Sequence, residues 1–252
     1  MKSIDRITAL VELLMSSESD LGIREIAERS SMPKSSVQRI LSSLKEKNWV
    51  VQDPESGNYR IALRLLVLAG AWRFRLELAR QSRGVLEDLC RESRQTVLLL
   101  VHEGSCGICL DKVEPERSLK LVAEVGKTFP LNAAACGKIL LAYSSRELRE
   151  KLLESPFRAF TPATITGTEI MKKEIEDIRA RGYAVSRGEM TTGAAEIAIP
   201  LLDGDGNLLA ALSVAGPCFE MEGHFEEYEG MLRRAAARIL GAPAARGRRA
   251  ST

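Results

Sequence analysis

Gln38 and Arg39 stand side by side in MPKSSVQRILSSLKEK, a segment that also supplies Lys34, Ser35, Ser36, Ser42, Ser43 and Lys45. A glutamine amide and an arginine guanidinium can each form paired hydrogen bonds with one planar partner. In the major groove these partners are the edges of adenine and guanine respectively. Hydroxyls and ammonium groups suit the flanking phosphates, and small serines allow a helix to come close. From Lys34 to Lys47 four basic residues stand against one acid, Glu46, whereas the whole chain carries only +2. Affinity for nucleic acid must then come from local clustering and not from global charge. The charges alone would suit the solvated face of any small bundle, so the surrounding elements decide.

Ile4, Ile7, Leu10, Val11 and Leu14 recur at helical spacing and predict a helix over 4–15. Ile23, Ile26 and Ala27 mark a second, short helix that SSMP ends. Pro33 suits the first turn of a third, whose apolar stripe is Val37, Ile40, Leu41 and Leu44. Two short amphipathic helices separated by a four-residue break within 21–44 fit a helix-turn-helix whose second helix enters the major groove. Trp49–Gln52 and Tyr59–Ala62 are strand-like on either side of the turn signal DPESGN, which makes a wing. Asn58 and Arg60 would face the sugar-phosphate backbone from this wing, although Asp53 and Glu55 in the same turn oppose phosphate.

Residues 63–93 form a breaker-poor apolar run with interspersed arginines, read as a linker helix over 63–79 and a second helix opening the next domain. Its apolar residues exceed what one face of a lone helix can bury, so part of that surface is expected to meet another subunit. From Thr96 the pattern is mixed. TVLLLVHEG and GICLDKVE form a hairpin, LKLVAEVG a third strand, and LNAAACGKILLAY a loop entering a helix. Thr166 and Glu169 have capping-box spacing ahead of a helix that stops at Gly182. AAEIAIPLL and LLAALSVAG flank the turn DGDGN, and a last helix runs from about His224 to Leu240. The order implies an α+β domain with an antiparallel sheet.

Hydrophobic content of 45% and charged content of 28% are those of an ordinary globular protein. No apolar run is long enough to span a bilayer, and Asp5 and Glu12 spoil MKSIDRITALVELL as a secretory leader. Five cysteines, an odd number, argue against a disulfide framework, so a reducing, cytoplasmic location is expected and no membrane partner. Cys106-Gly-Ile-Cys109 has CxxC spacing, yet only His102 lies near it and no second pair exists. No metal and no cofactor are expected. An enzyme would need a nucleophile with a base, and His102 and His224 stand far apart with no hydrolase or zinc-protease motif; no catalytic residue is assigned.

MPKSSVQRILSSLKEKNWV with SGNYRIALRLLVLA resembles the DNA-binding domain of the IclR family of bacterial transcriptional regulators. GKTFPLNAAACGKILLAY, IRARGYAVSRGEMTTG, AEIAIPLLDGDGNLLAALSV and AGP extend the likeness over nearly the whole chain. The resemblance implies a winged helix-turn-helix over 1–62, a linker helix over 63–79 and a GAF-like effector-binding domain over 80–241; the arginine-rich end, 242–252, is expected to be a basic disordered tail. It implies a double-stranded DNA operator, pseudo-palindromic and bound by a dimer or tetramer, and a small-molecule effector that alters this binding. A dimer also gains specificity by reading half-sites about 34 Å apart. The alternative is a sensor or dimerisation module whose winged domain docks a protein.

By position, the resemblance points to Ala135, Cys136, Ser186, Ala194, Glu196 and Ser213 around the effector, with Ala215 where serine is common. Glu196 departs from the small residue usual there. Strand alternation puts it with Ala198, opposite Ile197 and Ile199, so it faces a pocket or solvent. A pocket carboxylate would repel a carboxylic-acid effector unless Lys138 or Arg187 paired with it, and would favour hydroxyls or a cation. A solvated glutamate at a strand edge is the plainer expectation.

Overall fold

The computed structural model describes residues 3–17, 19–63, 65, 73–116 and 124–241. They group into two compact units, Met1–Phe74 and Arg75–Thr252. In the first, α1 (Ser3–Met15), α2 (Ile23–Arg29) and α3 (Lys34–Glu46) are followed by the hairpin β1 (Val50–Gln52) and β2 (Tyr59–Ile61). The apolar stripes read from the sequence form the core: Leu10, Leu14, Ile26, Val37, Leu41 and Leu44 pack with Val50 and Tyr59. Pro33 sits at the N-cap of α3 with φ −57°, one position before the first turn where the sequence placed it. Its fixed φ and missing N–H serve equally well there.

The second unit opens within α4 (Arg73–Ser93), which runs without a break through the boundary expected between 79 and 80. Nothing in that stretch stops a helix: proline is absent and its one glycine, Gly84, is tolerated inside. Part of the apolar run is covered locally, since Leu78, Leu86 and Leu89 enter the unit's own core while Leu76 stays exposed.

Six antiparallel strands follow: β3 (Thr96–Glu103), β4 (Cys106–Val113), β5 (Thr128–Pro130), β6 (Ala184–Arg187), β7 (Ala194–Leu202) and β8 (Leu208–Pro217). Their order in the sheet is β5-β4-β3-β8-β7-β6. Both faces are covered, which is why TVLLLV reads as unbroken apolar sequence. Val97, Leu99 and Val101 join α4 and α9 (Phe225–Gly241) in one core. Leu98 and Leu100 face the other way, toward α5 (Ala135–Ala142) and α7 (Thr168–Arg181). Two short helices, α6 (Arg146–Leu152) and α8 (Cys218–Met221), complete the described elements.

The capping box does not form. Gly167 is the N-cap of α7 and no side chain caps it. Thr166 lies outside the helix, its carbonyl held by the Phe157 N–H at 2.9 Å. The helix does stop at Gly182, whose φ of 79° is left-handed. The strand expected at LKLVAEVG falls largely on residues outside those described, as does the tail 242–252; the edge strand seen next to β4 is β5.

Candidate functional site

On α3, turning 100° per residue, Ser35, Gln38, Arg39 and Ser42 form one exposed stripe opposite the buried Val37, Leu41 and Leu44. Lys34 and Lys45 flank this stripe on one side, Ser36 and Ser43 on the other. The helix has 13 residues, about 20 Å, and the major groove is about 12 Å wide. Among the described residues neither Lys34 nor Arg39 has a carboxylate partner. Lys45 Nζ donates to Gln52 Oε1 at 3.0 Å and ties the helix to the wing.

The two wing residues are already engaged. The Asn58 amide donates to the Asp20 carbonyl at 3.3 Å, fastening the hairpin to the segment before α2. Arg60 pairs with Asp20 at 3.6 Å on the surface, a weak contact that a phosphate can replace. Asp53 is turned inward within its loop, where Ser56 donates to it and holds its carboxyl below the usual range.

In the second unit a partly open cavity of about 250 Å³ lies between the sheet and the start of α5. Of the six positions read from the resemblance, Cys136, Ser186, Ala194 and Glu196 line it. Ala135 and Ser213 do not; both are buried behind it. Leu98, Leu100, Phe129, Met190 and Thr191 complete much of the wall. Alternation along β3 could have pointed to the two leucines, whereas no sequence signal marked Phe129 or Met190.

Glu196 lies on β7, an inner strand, beside Ser186 of β6 and Ala215 of β8, and is 6% exposed. It is therefore not a solvated edge residue. Its Oε2 accepts the Ala135 N–H at 2.8 Å and the Cys136 N–H at 3.3 Å, at the first turn of α5. Ala134, at the N-cap, has φ 65° and ψ 159°, a conformation costly for any residue but glycine and one that persists where the surroundings enforce it. Gly137 follows because an added Cβ would sit 2.8 Å from the Pro130 carbonyl oxygen, so α5 lies directly on the backbone before it.

Neither cation expected near Glu196 is its partner. Lys138, 2% exposed, donates to Glu189 Oε1 at 2.7 Å, to the Val185 carbonyl at 2.8 Å and to Glu174 Oε1 at 3.1 Å. Arg187 pairs with Glu222 at 3.2 Å. Burial pushes the Glu196 carboxyl up from the usual value; the nearby Ser213 and Cys136 side chains and the two N–H groups offset this in part. Ser213 Oγ and Glu196 Oε1 themselves complete no hydrogen bond.

A carboxyl raised on folding lets the native state hold a proton that the unfolded chain releases. Stability from this group therefore grows as pH falls toward the unfolded value of 4.5 and is lost as pH rises through the higher folded value. Glu196→Gln, which keeps the shape, should thus gain melting temperature relative to the unmodified chain as pH rises from about 5 to about 8. A difference that stays flat with pH in thermal scans would show that Glu196 is not a buried charge.

Cys106 and Cys109 are three residues apart on β4, which sends their side chains to opposite faces of the sheet, so the CxxC spacing does not make a chelating pair. Burial pushes the Cys109 thiol up to about 12, and the Cys136 thiol well above the usual range, so both stay protonated. Among the described residues no group of three or more His, Cys, Asp or Glu is placed to hold a metal.

Comparison with known proteins gives a consistent picture. The profile of the IclR helix-turn-helix domain matches residues 3–54, and that of the bacterial transcriptional regulator IclR C-terminal domain matches residues 73–240. The HTH-type transcriptional regulator KdgR of Escherichia coli (strain K12) is 30% identical over 224 residues, spanning 88% of this chain and 85% of that protein. The crystal structure of the Thermotoga maritima IclR aligns with a TM-score of 0.72 at 27% identity, covering 95% of this chain and 97% of that one. An IclR homolog complexed with 4-hydroxybenzoate, from Microbacterium hydrocarbonoxydans, shares the fold with a TM-score of 0.74 at 24% identity, covering 95% and 98% of the two chains.

Proposed function

Because the chain belongs to the IclR family of bacterial transcriptional regulators, we propose that α3 reads a pseudo-palindromic DNA operator and that a small molecule in the cavity beside α5 alters this binding. The chain is a DNA-binding regulator of transcription; the operator geometry and the effector's role are the finer reading. It acts as a dimer or tetramer in the cytoplasm, and neither α3 nor the cavity is given a catalytic role. Among the described residues no helix is long and apolar enough to cross a membrane.

The exposed stripe Ser35, Gln38, Arg39 and Ser42 is the observation that supports this most, because no described residue of its own unit covers it. Gln38 and Arg39 are assigned to base edges. Lys34, Ser35, Ser36, Ser42, Ser43 and Lys45 are assigned to phosphates, with Arg60 and Asn58 at the wing in a lesser role. In the second unit Cys136, Ser186, Ala194 and Glu196 are assigned to the effector, with Ala135 and Ser213 as support.

Salt dependence tests the DNA reading against protein docking. Lys34, Lys45 and Arg60 on each of two subunits would neutralise six phosphates and make the operator affinity fall roughly a thousandfold between about 50 and about 200 mM salt, through counterion release. An affinity indifferent to salt over that range, measured by fluorescence anisotropy on labelled duplex, would point to docking through an apolar face instead.

A further inference from the structure

We propose that the cavity beside α5 selects a compact hydrogen-bond donor, an alcohol or an amine, and turns carboxylates away, because Glu196 itself fills the seat for an anion at the start of that helix. This rests on the reading of the cavity as the effector site and names the chemistry that the site accepts.

Free N–H groups and the dipole make a helix N-terminus a natural place for a ligand's negative charge. Here those groups are spent within the chain: the Ala135 and Cys136 N–H both point at Glu196 Oε2. The other oxygen, Oε1, is buried next to the Ser213 and Cys136 side chains, which act on the same carboxyl, and Glu196 lines the cavity. Once ionised, above its raised folded value, this carboxylate only accepts hydrogen bonds, so a ligand that meets it there must donate one.

A carboxylate in the same place would meet a like charge with no cation to offset it. Among the described lining residues the one cation is Lys127, exposed and paired with Glu124 at 2.5 Å. Lys138 is held by Glu189 and Glu174, and Arg187 by Glu222. The repulsion is strong where water is excluded. The remaining wall is mainly apolar, with Leu98, Leu100, Phe129 and Met190, and the cavity is only about 250 Å³. The fitting ligand is therefore small, with one donor end against Glu196 and an apolar body.

Isothermal calorimetry on the full chain, with benzoate, benzyl alcohol and benzylamine and the matching pentanoate, pentanol and pentylamine, tests this directly. The alcohol or the amine of a set should bind at least about tenfold tighter than the acid. Which of the two leads tells whether a neutral donor or a cation meets Glu196. Glu196→Ala, which frees the two N–H groups, should bring the acid level with or ahead of the alcohol. Glu196→Gln, which keeps the shape and removes the charge, should shift the order the same way by less. An acid preferred by the unmodified chain, an order unmoved by both variants, or no binding of any probe to any of the three proteins would overturn the proposal. Ala194→Phe, which fills the cavity, separates the two readings. Binding that survives it would place the ligand elsewhere and overturn the cavity as effector site. Binding that it abolishes, but with the acid preferred, would overturn only the charge preference.

Discussion

Replacing Gln38 and Arg39 together by alanine is expected to reduce affinity for the specific operator by roughly 30-fold to 10⁴-fold per half-site, since each bidentate base contact contributes about 1–3 kcal/mol. The fold should be untouched, because both side chains are exposed on α3 and the stripe behind them, Val37, Leu41 and Leu44, makes the core. Stability should stay within about 0.5 kcal/mol. Attachment to unrelated DNA should change far less, because phosphate contacts supply most of it. Lys34→Ala makes the contrast: a uniform loss across sequences and a salt slope shallower by about one for each subunit bound. Anisotropy with operator and scrambled duplexes distinguishes these outcomes. A double variant that loses both duplexes equally would make Gln38 and Arg39 phosphate contacts. One that loses neither would remove α3 as the reading helix.

Lys138→Met is expected to destabilise the second unit by about 3–5 kcal/mol. Lys138 is a fully engaged ammonium at 2% exposure, and its removal leaves Glu189 buried without its cation. Burial already pushes the Glu189 carboxyl up, with Lys138 acting against it. The same contact holds the segment that carries Met190 and Thr191 into the cavity wall, together with the Thr164 hydroxyl on the Glu189 carbonyl at 2.6 Å. At roughly 2–4 °C per kcal/mol for a unit of this size, the melting temperature should drop by about 10 °C. Lys138→Met combined with Glu189→Gln should recover most of the loss, because the cost lies in the orphaned charge and not in the missing pair. If the double variant melts no higher than Lys138→Met alone, the contact is held by packing.

The winged unit was legible because its signals are local. Periodicity places Val37, Leu41 and Leu44, SSMP gives the break, and DPESGN gives the turn. The unbroken apolar run from Val97 to Val101 likewise shows a strand buried on both faces. What the sequence hid was long-range. Alternation put Glu196 on the correct face, yet its partners are backbone N–H groups 61 and 60 residues away, which have no side-chain signature. Lys138 and Arg187 could be read as charges, but not as charges already committed to Glu189, Glu174 and Glu222. The boundary expected at 79–80 has no mark in the chain, because no residue there breaks α4. The capping box failed because a four-residue pattern does not say whether the backbone of Thr166 is free, and Phe157 holds it.

The proposed link between cavity and operator is tested most directly by operator affinity at fixed salt, with and without a saturating cavity ligand identified by calorimetry, in the unmodified chain and in Ala194→Phe. Expected is a shift of at least about fivefold in the unmodified chain, matched by the same factor in ligand affinity when operator is present, and no shift in Ala194→Phe. An operator affinity unmoved by a ligand that demonstrably occupies the cavity would contradict the link, whatever α3 reads.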